Sequence, residues 1–206
     1  MRKLFENLLA QLFCMYLRGK KRVQRKSTAI VSGALAREFD SCGANFHIYS
    51  PFDIVGTKAI QIGTNVHINR EAFIRGFGHL TIGDNVHIGP RVMIYTTSHK
   101  YEGAKAIPYD ETVDARPVVI ENNVWIGACV TIVPGVRIGE GAVIAAGTVV
   151  SKDVPALAIV GGPAYRVLKT RDEKHYRALK MSEKFGGVGG RLFKESDAEQ
   201  HENAAA

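Results

Sequence analysis

The feature that most constrains this chain is a period of six. Ile120, Ile126, Ile132, Ile138, Ile144 and Val150 recur at every sixth position without a slip. Four segments superpose on that rhythm: IGTNVHINREAFI (62–74), IGDNVHIGPRVMI (82–94), IENNVWIGACVTI (120–132) and IGEGAVIAAGTVV (138–150). A six-residue period fits neither the 3.6 of a helix nor simple strand alternation. Short internal repeats of this kind mark a solenoid. The predicted fold is an all-β solenoid, a parallel β-helix with three short strands and about 18 residues per coil. Aliphatic residues stack inside, and Gly, Asn and Asp take the corners, where the backbone needs permissive dihedrals.

The rhythm breaks twice. Ile62 and Ile82 are 20 apart, which puts a small bulge near Arg75–Leu80. From Ile82 one coil would reach position 100, yet the pattern resumes at Ile120. An inserted loop, 100–117, therefore begins just after His99, in the stretch IYTTSHKYEGAKAIPYD.

Composition matters mainly for where the charge lies. The net charge is +7, and residues 1–26 carry all of it, with eight Lys and Arg against Glu6. The remaining 180 residues balance, so the basicity does not belong to the solenoid and no nucleic-acid partner is expected. Leu4/Phe5, Leu8/Leu9, Leu12/Phe13 and Tyr16/Leu17 form one apolar stripe of a helix. This predicts a basic amphipathic helix over 1–27. It either packs on the body or a neighbouring subunit, or makes peripheral contact with an anionic membrane. No apolar run is long enough to span a bilayer. Cys14, Cys42 and Cys129 lack metal-ligand or disulfide spacing, which suits a reducing, cytoplasmic setting. The β-helix is expected over 28–169. A short capping helix over RDEKHYRALKM (171–181) and a Gly-rich, polar, disordered tail follow within 170–206.

The repeat, TTSH before an inserted loop, PVVIENNVWIGACVTIVPGVRIGEGAVIAAGTVVSKDVP (117–155) and GGPA (161–164) together resemble the hexapeptide-repeat acyltransferases. The nearest likeness is to the galactoside, maltose, nodulation-factor and polysaccharide O-acetyltransferases. The resemblance implies a left-handed β-helix, a homotrimer, and acetyl-CoA as co-substrate in a groove between neighbouring prisms. It implies His99 as general base for direct attack by an acceptor hydroxyl, with Asn69 near the reacting carbonyl. Offsets from Lys152 carry the CoA-contacting positions to Ala128, Ala146, Ser151, Arg166 and Lys169, with Trp125 beside the cofactor or merely stacked at a corner.

The residue chemistry agrees with these roles. A neutral imidazole titrates near working pH and can take a hydroxyl proton. An amide can donate to a developing oxyanion. Small residues leave room for an extended pantetheine arm, and Lys or Arg can meet its phosphates. Plainer readings stand beside them: Asn69 as a corner residue, the basic groups as solvated charge, and His67 and His87 as a structural outward column with Trp125 in phase. His79 lies in the bulge, and His47 has no patterned context. The bulge reads RGFGH, with Gly76 and Phe77 where the sugar acetyltransferases carry an acidic residue, so a simple galactoside or maltose acceptor is doubtful. The expected activity is O-acetylation of a sugar hydroxyl in a polysaccharide or glycolipid precursor. Alternatives are an antibiotic or amino-sugar acetyltransferase, a γ-type carbonic anhydrase, or a non-catalytic scaffold. No metal is expected, since the close histidine pair of a zinc site is missing.

Overall fold

The computed structural model describes Phe13, Met15, Tyr16, Gly19, Val23 and residues 26–99, 111–162, 166–170 and 172–183. Its body is a left-handed parallel β-helix with three faces. The first face holds β1 (Ser41–Cys42), β4 (Ile60–Ile62), β7 (Leu80–Ile82), β12 (Val118–Ile120) and β15 (Arg137–Ile138). The second holds β2 (His47–Ile48), β5 (His67–Ile68), β8 (His87–Ile88), β13 (Trp125–Ile126), β16 (Val143–Ile144), β18 (Ala158–Gly161) and the antiparallel β19 (Arg166–Thr170). The third holds β3 (Phe52–Val55), β6 (Ala72–Arg75), β9 (Met93–Tyr95), β14 (Thr131–Ile132) and β17 (Val149–Val150).

Each sixth-position aliphatic points inward. Ile48, Ile68, Ile88, Ile126 and Ile144 stack on the second face, and Ile74, Ile94 and Ile132 on the third, all 2% exposed or less. Burial of each such side chain stabilises the column by about 1.5–3 kcal/mol. The corners between the first and second faces repeat one device. Asn45, Asn65, Asn85 and Asn123 all have φ between 55° and 61°, and Gly141 continues them at 70°. Asparagine is among the few residues that tolerate this region, and here each amide also bonds the next. Asn45 Nδ2 donates to Asn65 Oδ1 (2.6 Å), Asn65 Nδ2 to Asn85 Oδ1 (2.9 Å) and Asn85 Nδ2 to Asn123 Oδ1 (3.1 Å). The ladder ends where Asn123 Nδ2 donates to Tyr176 Oη (2.9 Å) and Glu140 Oε1 (3.2 Å).

Coil length changes along the prism. Partnered residues are 20 apart in the first coils (Ile60 with Leu80), 18 apart later (Val119 with Arg137) and 16 at the end (Val143 with Ile159). The extra residues of the early coils sit at one corner, between the third and first faces. A 3₁₀ turn at Thr57–Ala59 fills it in one coil and residues 76–79 in the next. The long insertion uses the same corner, between β9 and β12.

Two helices flank the prism. Residues 26–36 are helical (α1), as are the described residues from Phe13 to Val23. The helix thus passes the expected 27/28 boundary, and the first strand begins only at Ser41. The reason is docking. Val31, Leu35 and Ala36 pack against the core, and the buried Ser32 hydroxyl accepts from Ile48 N (2.9 Å), an amide of the first coil. The second helix, α2 (Glu173–Met181), starts at Asp172, whose side chain accepts from His175 N (2.9 Å). Its Tyr176 ring lies over Gly141, where an added Cβ would come within 2.9 Å of the ring, so α2 covers a corner of the last coils. The expected tail over 184–206 lies outside the described residues.

Candidate active site

His99 stands at the end of β10 (Thr97–His99), which leaves the prism as an arm and pairs antiparallel with β11 (Val113–Ala115). His99 lies opposite Val113, and its side chain is exposed. The expected loop is therefore strand at its described end, while residues 100–110 lie outside the described residues.

The root of the arm is fixed by Thr96, a residue the motif reading passed over. It is fully buried. Its Oγ1 donates to Arg75 O (2.6 Å) and accepts from Gly78 N (2.8 Å), while its carbonyl accepts from Arg116 N (2.9 Å). One threonine thus ties the outgoing strand, the returning strand and the bulge of the coil before it. Gly78 is required there, because a Cβ would meet Thr96 O at 2.1 Å. Between Gly76 and Gly78, Phe77 is 63% exposed on the same edge as the arm.

Beside this edge the third face carries a polar and aromatic cluster. Arg75 Nη1 and Nη2 each donate to an Asp53 carboxylate oxygen at 2.8 Å. The guanidinium carbon lies 3.5 Å from the centre of the Phe73 ring, which is 5.6 Å from that of Tyr95. The hydrogen bond and charge of Arg75 hold the Asp53 carboxyl below its ordinary range, and Asp53 raises the guanidinium in return. Asp53, Arg75 and Tyr95 come from successive coils, so only a register count could have grouped them.

The other expected residues divide between two edges and one face. Ser151 and Lys152 follow β17 and are exposed on the same edge as His99. Asn69, Ala128 and Ala146 instead follow second-face strands and occupy the opposite edge of the third face. Asn69 is exposed, and its backbone N–H donates to Ile88 O (2.9 Å). Ala128 and Ala146 sit one above the other, joined by Gly147 N to Ala128 O (2.8 Å). That edge is lined with small residues: a Cβ on Gly127 would meet Ala146 N at 2.6 Å, and one on Gly89 would meet Ala128 N at 2.7 Å. Its surface is therefore backbone, with room for an extended chain. Trp125 is 60% exposed on the second face, and Arg166 is exposed in β19. The Lys169 backbone pairs with Ile159 in the same sheet.

Within one chain these groups do not converge. Ala72–Arg75 alone spans about 10 Å at 3.3 Å per residue, and it separates the Asn69 edge from the His99 edge. The phase of the repeat held this information: Asn69 follows a second-face strand, and His99 comes after a third-face strand.

His67 and His87 do form a column, and His47, expected to lack a pattern, is its first member. The His47 and His67 ring centres lie 5.0 Å apart, and those of His67 and His87 4.6 Å. His67 is 5% exposed, and its Nε2 lies 3.1 Å from Asn65 Oδ1. Burial first, then the two neighbouring imidazoles, push its pKa down to about 3. Among the described residues no group of three or more His, Cys, Asp or Glu side chains is placed to hold a metal.

Comparison with known proteins agrees with this architecture. Residues 117–152 match the family model described as bacterial transferase hexapeptide (six repeats). A Saccharomyces cerevisiae protein named as an acetyltransferase is 41% identical over 134 residues, covering 65% of this chain and 67% of the yeast protein. A crystal structure of a hexapeptide-repeat acetyltransferase from Vibrio cholerae with acetyl-CoA superposes with a TM-score of 0.63. It shares 36% identity and covers 68% of this chain and 76% of that one. A galactoside acetyltransferase in complex with coenzyme A gives a TM-score of 0.64 at 29% identity, covering 77% and 84%. The chain belongs to the hexapeptide-repeat acetyltransferase family. It is accordingly an acyltransferase.

Proposed function

We propose that this chain transfers the acetyl group of acetyl-CoA to a sugar hydroxyl of a polysaccharide or glycolipid precursor, with His99 as the general base. The observation that carries this reading is the placement of His99: exposed, on a strand-built arm, at the edge where the coil is interrupted. His99 takes the proton of the acceptor hydroxyl as its oxygen adds to the thioester carbonyl, and the proton ends on the departing thiolate. The Asn69 amide donates to the oxygen that gains charge. Acetyl-CoA supplies an activated acyl group, and the residues suited to holding it are those of the small-residue edge, Ala128 and Ala146, with Trp125 on the adjoining face. Ser151, Lys152, Arg166 and Lys169 supply hydrogen bonds and positive charge for its phosphates.

Because His99 and Asn69 occupy opposite edges, the reaction centre needs two chains, one edge facing the other's. A homotrimer of prisms meets that need with three equivalent sites. Phe77, where an acidic group would grip a polar glycoside, makes the acceptor side more apolar and favours a sugar that presents a hydrophobic face or carries a lipid.

The test is substitution of the base. His99→Ala should leave the melting temperature unchanged, because the side chain is exposed, and should lower acetyl transfer by about 10²–10⁴. Release of free thiol from acetyl-CoA in the presence of acceptor reads the rate. Near-normal turnover in that variant would remove His99 from the reaction.

A further inference from the structure

The N-terminal helix has two apolar sides, and the solenoid uses only one. In α1, Val31, Leu35 and Ala36 pack on the core, with Ser32 bonded to the first coil. Tyr16, Val23 and Ile30, spaced by seven, are 62%, 69% and 71% exposed, and Phe13 and Met15 are 60% and 62% exposed. Within residues 26–36, counted at about 100° per residue, Ile30 lies roughly 170° around the helix from the docked side chains and so faces away from the prism, and Val23 and Tyr16 precede it in sequence at steps of seven.

Exposed apolar side chains in such a row mark a surface that something covers. Charge selects the occupant. Residues 1–26 carry a net charge of +7, while the rest of the chain is neutral. A second copy of this helix would bring +7 against +7, whereas an anionic bilayer accepts the apolar stripe and attracts the basic flanks together. No helix among the described residues is long and apolar enough to cross a membrane.

We propose that the exposed side of this helix docks the enzyme on an anionic phospholipid surface, with Tyr16, Val23 and Ile30 as its apolar contacts. This is independent of the reaction assigned above. It gives the coils a fixed standing relative to the bilayer, since Ser32 and Leu35 of the same helix hold the first coil.

Co-sedimentation of the full chain with vesicles tests it. Vesicles containing phosphatidylglycerol should retain the protein, and those of phosphatidylcholine alone should retain it at least about tenfold less. Salt at about 0.5 M should weaken retention, because the charge term is screened. A Tyr16→Glu, Val23→Glu, Ile30→Glu variant should lose at least about tenfold of the retention. Its transfer activity on a soluble acceptor and its mass by light scattering should not change. A second variant with Lys20, Lys21, Arg22 and Arg25 replaced by Gln should lose the preference for anionic vesicles without touching the stripe. Retention on neither vesicle, or equal retention on both, would overturn the proposal. So would a smaller assembly in the stripe variant, which would make the stripe a contact between subunits.

Discussion

His67 lies between two other imidazoles in a space that leaves it 5% exposed. A proton there would be stripped of water and set beside two rings that also titrate, His47 and His87. Its folded pKa of about 3 is well below its ordinary 6.5, so the unfolded chain binds the proton more readily. The stability from this neutral ring is complete above pH 6.5 and is lost as pH falls from there towards 3. By pH 5 the loss reaches about 2 kcal/mol. His67→Phe keeps an aromatic ring in the column and removes the titration, and Asn65 Oδ1 still accepts from Asn45. Denaturant midpoints at pH 7.5 and pH 5 should therefore converge in the variant relative to the parent chain. An unchanged acid sensitivity would place its origin elsewhere.

At the scale of elements, each end of a β-helix has strand groups with no further coil to bond. Here α1 supplies part of that cover. The Ser32 hydroxyl accepts from Ile48 N, and the helix buries Leu35 and Ala36 over the first coil. Ser32→Ala leaves a buried amide without its partner, so it should cost about 1–3 kcal/mol in equilibrium unfolding. Amide hydrogen exchange at Ile48 should rise while that at Ile126, deep in the column, keeps its protection. The sequence pattern made the coils plain because every core position repeats, from Ile48 to Ile144. It did not reveal α1 beyond residue 27, because TAIVSGALA has β-branched residues and glycine and no stripe of its own. That stretch is helical because its apolar side meets the first coil, a tertiary cause. The Asn ladder was legible as corner residues but not as a bonded column, since the bonds join residues 20 and 38 apart.

At the scale of the molecule, the residues proposed to carry the chemistry can be named one by one from the sequence, while their arrangement lies only in the phase of the repeat. TTSH before the insertion pointed to His99, but the two edges of the third face are a property of phase and register. The separation has a consequence that can be measured. If a site takes His99 from one prism and Asn69 from its neighbour, His99→Ala and Asn69→Ala damage different halves of it. Mixing the two inactive variants and reassembling them restores intact interfaces wherever a chain with its histidine faces a chain with its asparagine. In a closed ring of three, random assembly makes all but the two uniform rings mixed, and each mixed ring holds one intact site. About a quarter of the parent turnover should then return, although neither variant is active alone. A site built within one chain would return none, because every chain would lack one of its two groups. The transfer rate of the reassembled mixture, compared with each variant reassembled by itself, separates these outcomes without any need to know the natural acceptor.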